Sequence, residues 1–492
     1  MNKDESTIRI ILISLMALLI GHLMYTTNIS LFLIGIVATT LFIYSQTLKH
    51  NNLFNFIMVM YFCNLFAYQL ARGGAFNFVS LLGIAIYSLA TKKSIFENKR
   101  PNKKFHFFIF LWMLSSILGW LFRFVGPTID LMLSIVSFGG IISLLLMSGN
   151  LILTEKRIAI FLKLNIFLIS YSLFASINAY LKILPLSPMM PRWAEQYQGR
   201  GDGLVLGGII GVSPLYGQHS LLLAVLFSVF FFIGIFIPKN VVKQKYLLYG
   251  AIISYINVFL SISKAVFFSL LIGLVIIILL QSRIKKINFN KRIFQFFILI
   301  VIVLSTLFLL KVTKLDYIFT RIEMQSERNM SQGSLISWET ILDGSALNRS
   351  TAFYEAFKKY HSKKSWILGY GWGLSSNNRY AFYVDPTIRR SSAHSQIFAI
   401  LFLFGWLGSF AFWGLHIYSI WESYRFSRVT KYTIPNRIYA LASILMLTML
   451  ILHGVTADNI TYPTYFSSTM IILGLTYANL NSGKLFSKFR GK

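Results

Sequence analysis

The sequence predicts an all-α polytopic membrane protein, and three observations carry that reading. The 492 residues are 56% hydrophobic and 13% charged, with mean hydropathy +0.65. A soluble chain carries about 25% charged residues, so these charges are too few to coat a soluble surface. Apolar stretches recur along the whole chain, many of them about 17–25 residues long, the length that crosses a bilayer. The connectors between them alternate between strongly basic and nearly uncharged.

By this rule fourteen spans are expected: 8–25, 29–45, 53–70, 75–91, 105–125, 129–149, 158–184, 218–237, 246–261, 265–281, 294–313, 395–421, 437–455 and 462–480. The shortest signals are 75–91 and 246–261. Each span should be helical, because backbone groups in lipid must bond within their own segment. The first, 8–25, lacks a small-residue cleavage site and is read as an uncleaved span. The whole of 1–492 is then a single transmembrane domain.

The formal net charge of +30 comes from 46 Lys and Arg against 16 Asp and Glu. Topology accounts for the excess without a nucleic-acid partner, since cytoplasmic loops concentrate basic residues. The basic connectors are 91–104, 238–245, 281–292, 422–437 and the tail 483–492. Those near 26–28, 126–128 and 454–461 have almost no Lys or Arg. An even number of spans with both termini in the cytoplasm fits this alternation. Cys63 is the one cysteine, so an intrachain disulfide and a Cys-based metal site are both excluded.

Two outward connectors exceed what topology needs: a first long outer loop at 185–217 and a second at 314–394. The second holds seven acidic and eleven basic residues. Long connectors tend to be functional, and long outer segments escape the positive-inside bias. Within the second loop, 348–363 reads as a short amphipathic helix with Phe353, Phe357 and Tyr360 on one face. LGYGWG (368–373) follows, a turn that serves either packing or substrate contact. Trp366 and Trp372 either stack on sugar faces or pack. The loop closes on RRSSAHSQIFAILFLFGW (389–406), where Arg389, Arg390 and His394 precede an apolar run. Arginine offers planar, bidentate donors to phosphate oxygens. Histidine is the side chain best suited to take a proton near neutral pH. His22, His416 and His453 lie in or near apolar runs, towards span ends, where a structural role is the simpler reading.

These features resemble the O-antigen polymerase and O-antigen ligase superfamily of bacterial membrane glycosyltransferases. The matching residues are Arg349 with Ser350 before the aromatic helix, GYG at 369–371, and His394 in AHSQIFAILFLFGWLG (393–408). SISK (261–264) is a second match, with Lys264 where the family often has arginine. RGDGLVLGGIIG (200–211) adds Arg200, with ten residues between it and Gly211.

The resemblance implies a GT-C-like fold in the bacterial inner membrane, with the active site on the extracytoplasmic face. It implies an undecaprenyl-diphosphate-linked oligosaccharide donor and a lipid-linked acceptor, the anomeric centre being inverted. It also implies surface-polysaccharide assembly, of lipopolysaccharide or capsule, beside a flippase and a chain-length regulator. In that reading Arg200, Lys264, Arg349, Arg389 and Arg390 hold the diphosphate. His394, ahead of Asp385, takes the proton of the acceptor hydroxyl, with Arg349 beside it in the catalytic set. A diphosphate is already a competent leaving group, so no metal or other cofactor is expected. Two alternatives remain open here: a ligase that moves finished glycan to a lipid or protein, and a flippase for the lipid-linked oligosaccharide.

Overall fold

The computed structural model describes residues 3–25, 38–48, 53–67, 102–123, 128–181, 243–260, 367–372, 396–429, 434–456 and 463–490, with isolated positions at 79, 82, 272, 273, 275, 276, 279 and 432. Nine α-helices are found among the described residues. They are α1 (Lys3–Tyr25), α2 (Leu53–Ala67), α3 (Lys103–Arg123), α4 (Thr128–Gly149), α5 (Glu155–Leu181), α6 (Gln244–Leu260), α7 (Gln396–Arg428), α8 (Ile434–Thr456) and α9 (Pro463–Arg490). A helical stretch at 38–48 ends in a π-helical turn, Tyr44–Leu48.

The stretches 103–122, 399–428 and 434–454 are long and apolar enough to cross a membrane. Shorter apolar helices occupy 6–17, 53–64 and 134–149. The expected spans at 218–237 and 294–313 lie outside the described residues, as does nearly all of 75–91. The long outer loop at 185–217 lies outside them too, and so does 314–394 apart from 367–372.

Helix ends follow local chemistry. Asn102 caps α3, its Oδ1 accepting from the backbone N–H of Lys104 at 3.1 Å and Phe105 at 3.3 Å. Thr154 does the same for α5, accepting from Arg157 at 3.3 Å, and Glu155 adds negative charge in the first turn. Arg425 and Arg428 close α7. Two basic stretches read as connectors turn out to be partly helical. Helix α7 runs seven residues past the expected end of its span, and α9 carries the basic tail as far as Arg490.

The helices pack as pairs: α9 on α4, α7 on α3 and α8, α1 on α2, and α6 on α5. Small residues set the closest approaches. A methyl on Gly474 of α9 would strike Ser148 and the backbone of Gly149 on α4, and one on Gly408 of α7 would strike Ser115 of α3. In lipid, close backbone approach replaces the hydrophobic drive between helices, which the acyl chains cancel. Buried polar groups bond across the pairs. Tyr61 donates to Asn165 Oδ1 at 2.7 Å, joining α2 to α5. Asn479 Nδ2 donates to the Asn436 carbonyl at 2.9 Å, joining α9 to α8.

An aromatic knot sits where α3, α4, α7 and α9 meet. Trp112 is fully buried and lies edge-on to Phe138, Phe404, Phe412 and Phe466, with ring centres 5.2–6.0 Å apart. Edge-on contacts put the electropositive rim of one ring on the electronegative face of the next.

Candidate active site at a broken helix

The sequence places one helix over 395–421. The structure breaks it at Gly405, where φ is 61° and ψ is −167°. Only glycine occupies that region readily. The break yields a short limb, 396–404, and a long one, 406–428.

Breaking a helix inside the apolar layer strands backbone groups, and each unsatisfied one costs several kcal/mol in lipid. The stranded groups here are answered by a segment of the second outer loop. Tyr370 N–H donates to the Phe402 carbonyl at 3.1 Å, and Gly371 N–H to the Leu403 carbonyl at 2.7 Å. Leu407 N–H donates back to the Ile367 carbonyl at 3.3 Å. A third carbonyl, of Phe404, accepts from Ser115 Oγ of α3 at 2.5 Å. Residues 367–372 thus form a clasp laid along the break.

Glycine is required in the clasp because backbone meets backbone. Gly371 has φ of +81°, and a side chain there would strike the Trp120 indole. A methyl on Gly369 would strike the backbone of Leu403. Trp120 holds the clasp from the far side, its Nε1 donating to the Trp372 carbonyl at 2.8 Å. Trp372 itself is 1% exposed and stacks on Phe404 and Phe466. Of the two roles open to it, packing is the one observed, and its ring is closed to any sugar.

The short limb leads to a small pocket of about 10 Å³, room for a single water, lined by Gln396, Trp413, His416, Leu450, Ile451, Thr469 and Met470. Gln396 and His416 are twenty positions apart, which in an unbroken helix would be about 30 Å. The break therefore turns the short limb towards the long one.

His416 is 3% exposed and lies near the middle of the long limb. Its Nδ1 lies 2.9 Å from the Phe412 carbonyl. A carbonyl only accepts, so Nδ1 carries the proton and Nε2 is left as an acceptor. Thr469 donates its hydroxyl hydrogen to the Phe466 carbonyl at 2.8 Å, which also leaves oxygen lone pairs at the pocket. The pocket thus offers an imidazole and a hydroxyl, both as acceptors. His453 is also buried, at 4% exposure, near the end of α8.

Arg200, Lys264, Arg349, Asp385, Arg389, Arg390 and His394 all lie outside the described residues. The chain positions nearest His394 that are described are Gln396 and the short limb after it. Sequence reasoning identified the GYG turn but missed its partner. The only signal for the break was a glycine in the middle of an apolar run.

Residues 249–413 match the family model described as O-Antigen ligase. The match spans about a third of the chain and takes in the clasp, the break, and every residue proposed from sequence except Arg200. Proteins of this family are membrane enzymes, the ligases and polymerases of O-antigen, which act on lipid-linked glycans. Over those residues the chain is similar to this family of membrane enzymes, and its membrane-length apolar helices suit a multi-pass protein of the bacterial inner membrane. No curated protein matches the chain.

Proposed function

We propose that the protein polymerises a surface polysaccharide. It transfers a glycan from undecaprenyl diphosphate onto a sugar hydroxyl of a lipid-linked repeat unit, at the outer face of the membrane. The observation that carries this reading is the family match over 249–413, which encloses Lys264, Arg349, Arg389, Arg390 and His394 in one domain.

Breaking the bond between anomeric carbon and phosphate leaves added negative charge on the diphosphate. Cations at that position stabilise the transition state more than the ground state. Lys264, Arg349, Arg389 and Arg390 fill this role, with Arg200 from the first outer loop. His394 takes the proton of the attacking hydroxyl, a contribution of about 10²–10⁴-fold in rate. Attack from the face opposite the diphosphate inverts the anomeric centre. A diphosphate departs without a metal, and the donor's polyprenyl tail stays between helices throughout. Asp385 is the second candidate for the base.

Ligation of finished glycan to a lipid or protein acceptor is the second reading, favoured by the name of the matched family. Donor chemistry is shared between the two, so product length separates them. Cells lacking a polymerase lose the ladder of repeat lengths, whereas cells lacking a ligase keep the ladder on its lipid carrier.

His394→Ala is expected to abolish glycan transfer with the amount of protein in the membrane unchanged. Normal product from that variant removes His394 from the mechanism. Arg349→Lys separates bidentate phosphate binding from simple charge compensation, and a loss of about tenfold or more is expected for the bidentate case.

A further inference from the structure

We infer that the clasp at 367–372 and the break at Gly405 form a positioning device, which sets where the short limb of α7, and with it His394, stands over the membrane. The inference rests on the proposed role of His394.

The chain order supports it. The clasp divides the second outer loop between its two proposed site regions. Arg349 lies 18 positions before Ile367, and His394 lies 22 positions after Trp372 and two before Gln396. Both regions are therefore tethered to one fixed point. Clasp and break are held together by two helices, α7 and α3. The α7 backbone bonds to Ile367, Tyr370 and Gly371, Ser115 bonds to Phe404, and Trp120 bonds to Trp372. Burial of Trp372 in the aromatic knot anchors the clasp end that leads towards His394.

The arrangement also has a definite alternative. With Gly405 helical, α7 could remake its own bonds across 402–407 and would no longer need Ile367, Tyr370 and Gly371. The short limb would then extend in line with the long one and leave the His416 pocket. Clasp and straight helix compete for the same backbone groups, so the state of the clasp fixes the direction of the limb. None of Ser115, Trp120 and Gly371 is expected to touch substrate. They are positioning residues, and misplacement of a reacting group by about 1 Å can cost roughly 10²-fold in rate.

The test uses the full chain in membranes and purified in detergent, with Ser115→Ala combined with Trp120→Phe. These changes remove the two bonds from α3 and leave every proposed catalytic residue in place. Three quantities are measured: amide hydrogen exchange in peptides covering 367–372 and 396–407, protein abundance, and the glycan made per molecule from the cell's own lipid-linked repeats. Faster exchange in those peptides is expected, with abundance within about twofold and turnover down by tenfold or more. The donor concentration at half-maximal rate should change less than the turnover, because His394 is two positions from the limb whereas Arg349 is 18 positions from the clasp. Ser115→Thr, which keeps the hydroxyl, should restore most of the turnover.

Faster exchange with undiminished turnover overturns the inference, and so does unchanged exchange in the double variant. If His394→Ala remains active while the double variant is slow, the assignment of the base fails and the clasp survives as a device serving another group.

Discussion

The contact between α4 and α9 and the contact between α3 and α7 use the same material to different ends. Both rest on small residues that let helices approach closely: Gly474 against Ser148 and Gly149 in the first, Gly408 against Ser115 in the second. In the first pair both helices run unbroken, and Ser148 spends its hydroxyl on the carbonyls of its own helix. In the second, α7 is broken, and Ser115 reaches across to a carbonyl that the break has stranded. The first contact holds the bundle together. The second uses the bundle's stability to maintain an irregular backbone buried in protein, which is where irregular backbone at membrane depth is tolerated. A serine facing a glycine therefore says little by itself; what matters is which backbone group the hydroxyl satisfies.

Substitutions at the two contacts should fail in different ways. The largest effect is expected from Gly405→Val. A β-branched residue cannot hold φ 61° with ψ −167°, so the break should be lost and transfer per molecule should fall by about 10²-fold or more. Gel analysis of surface glycan, normalised to membrane protein, measures this. If the variant keeps full transfer, the break has no part in activity.

Gly474→Leu should act next most strongly, and on quantity instead of rate. Overpacking at a tight crossing costs about 1–3 kcal/mol or more. Immunoblots should show several-fold less protein in the membrane, while the transfer per surviving molecule stays near normal. A loss of specific activity at full abundance would erase the distinction drawn between the two contacts.

The smallest effect belongs to Tyr61→Phe, far from the broken helix. It removes the bond to Asn165 and leaves that amide oxygen buried, at a cost of about 1 kcal/mol. Thermal unfolding in detergent should drop by a few degrees with transfer unchanged.

Much of this molecule follows from one-dimensional information. Among the described residues, hydropathy and span length locate the helices, because lipid leaves the backbone no other choice. The ends of α2, α4, α6 and α8 fall within a few residues of the expected spans. The GYG motif is also legible, since two glycines one residue apart signal backbone under constraint. The extended ends of α7 and α9 are not, because their basic residues read as connector. The lysines and arginines of such segments can keep their charges in water while the backbone remains helical.

What the sequence by itself determined is the class of the protein, its resemblance to a family and the identity of the charged loop residues, all of which depend on composition, spacing and motif. Tertiary structure alone decided that Gly405 is a break, that residues 367–372 are its complement, that Trp372 is core, and that His416 faces Gln396 across a pocket. The physical reason is that a stranded carbonyl has no signature in its own sequence. Its partner lies more than thirty residues away in the chain for Phe402 and Leu403, and on another helix for Phe404. Only the folded bundle brings donor and acceptor together.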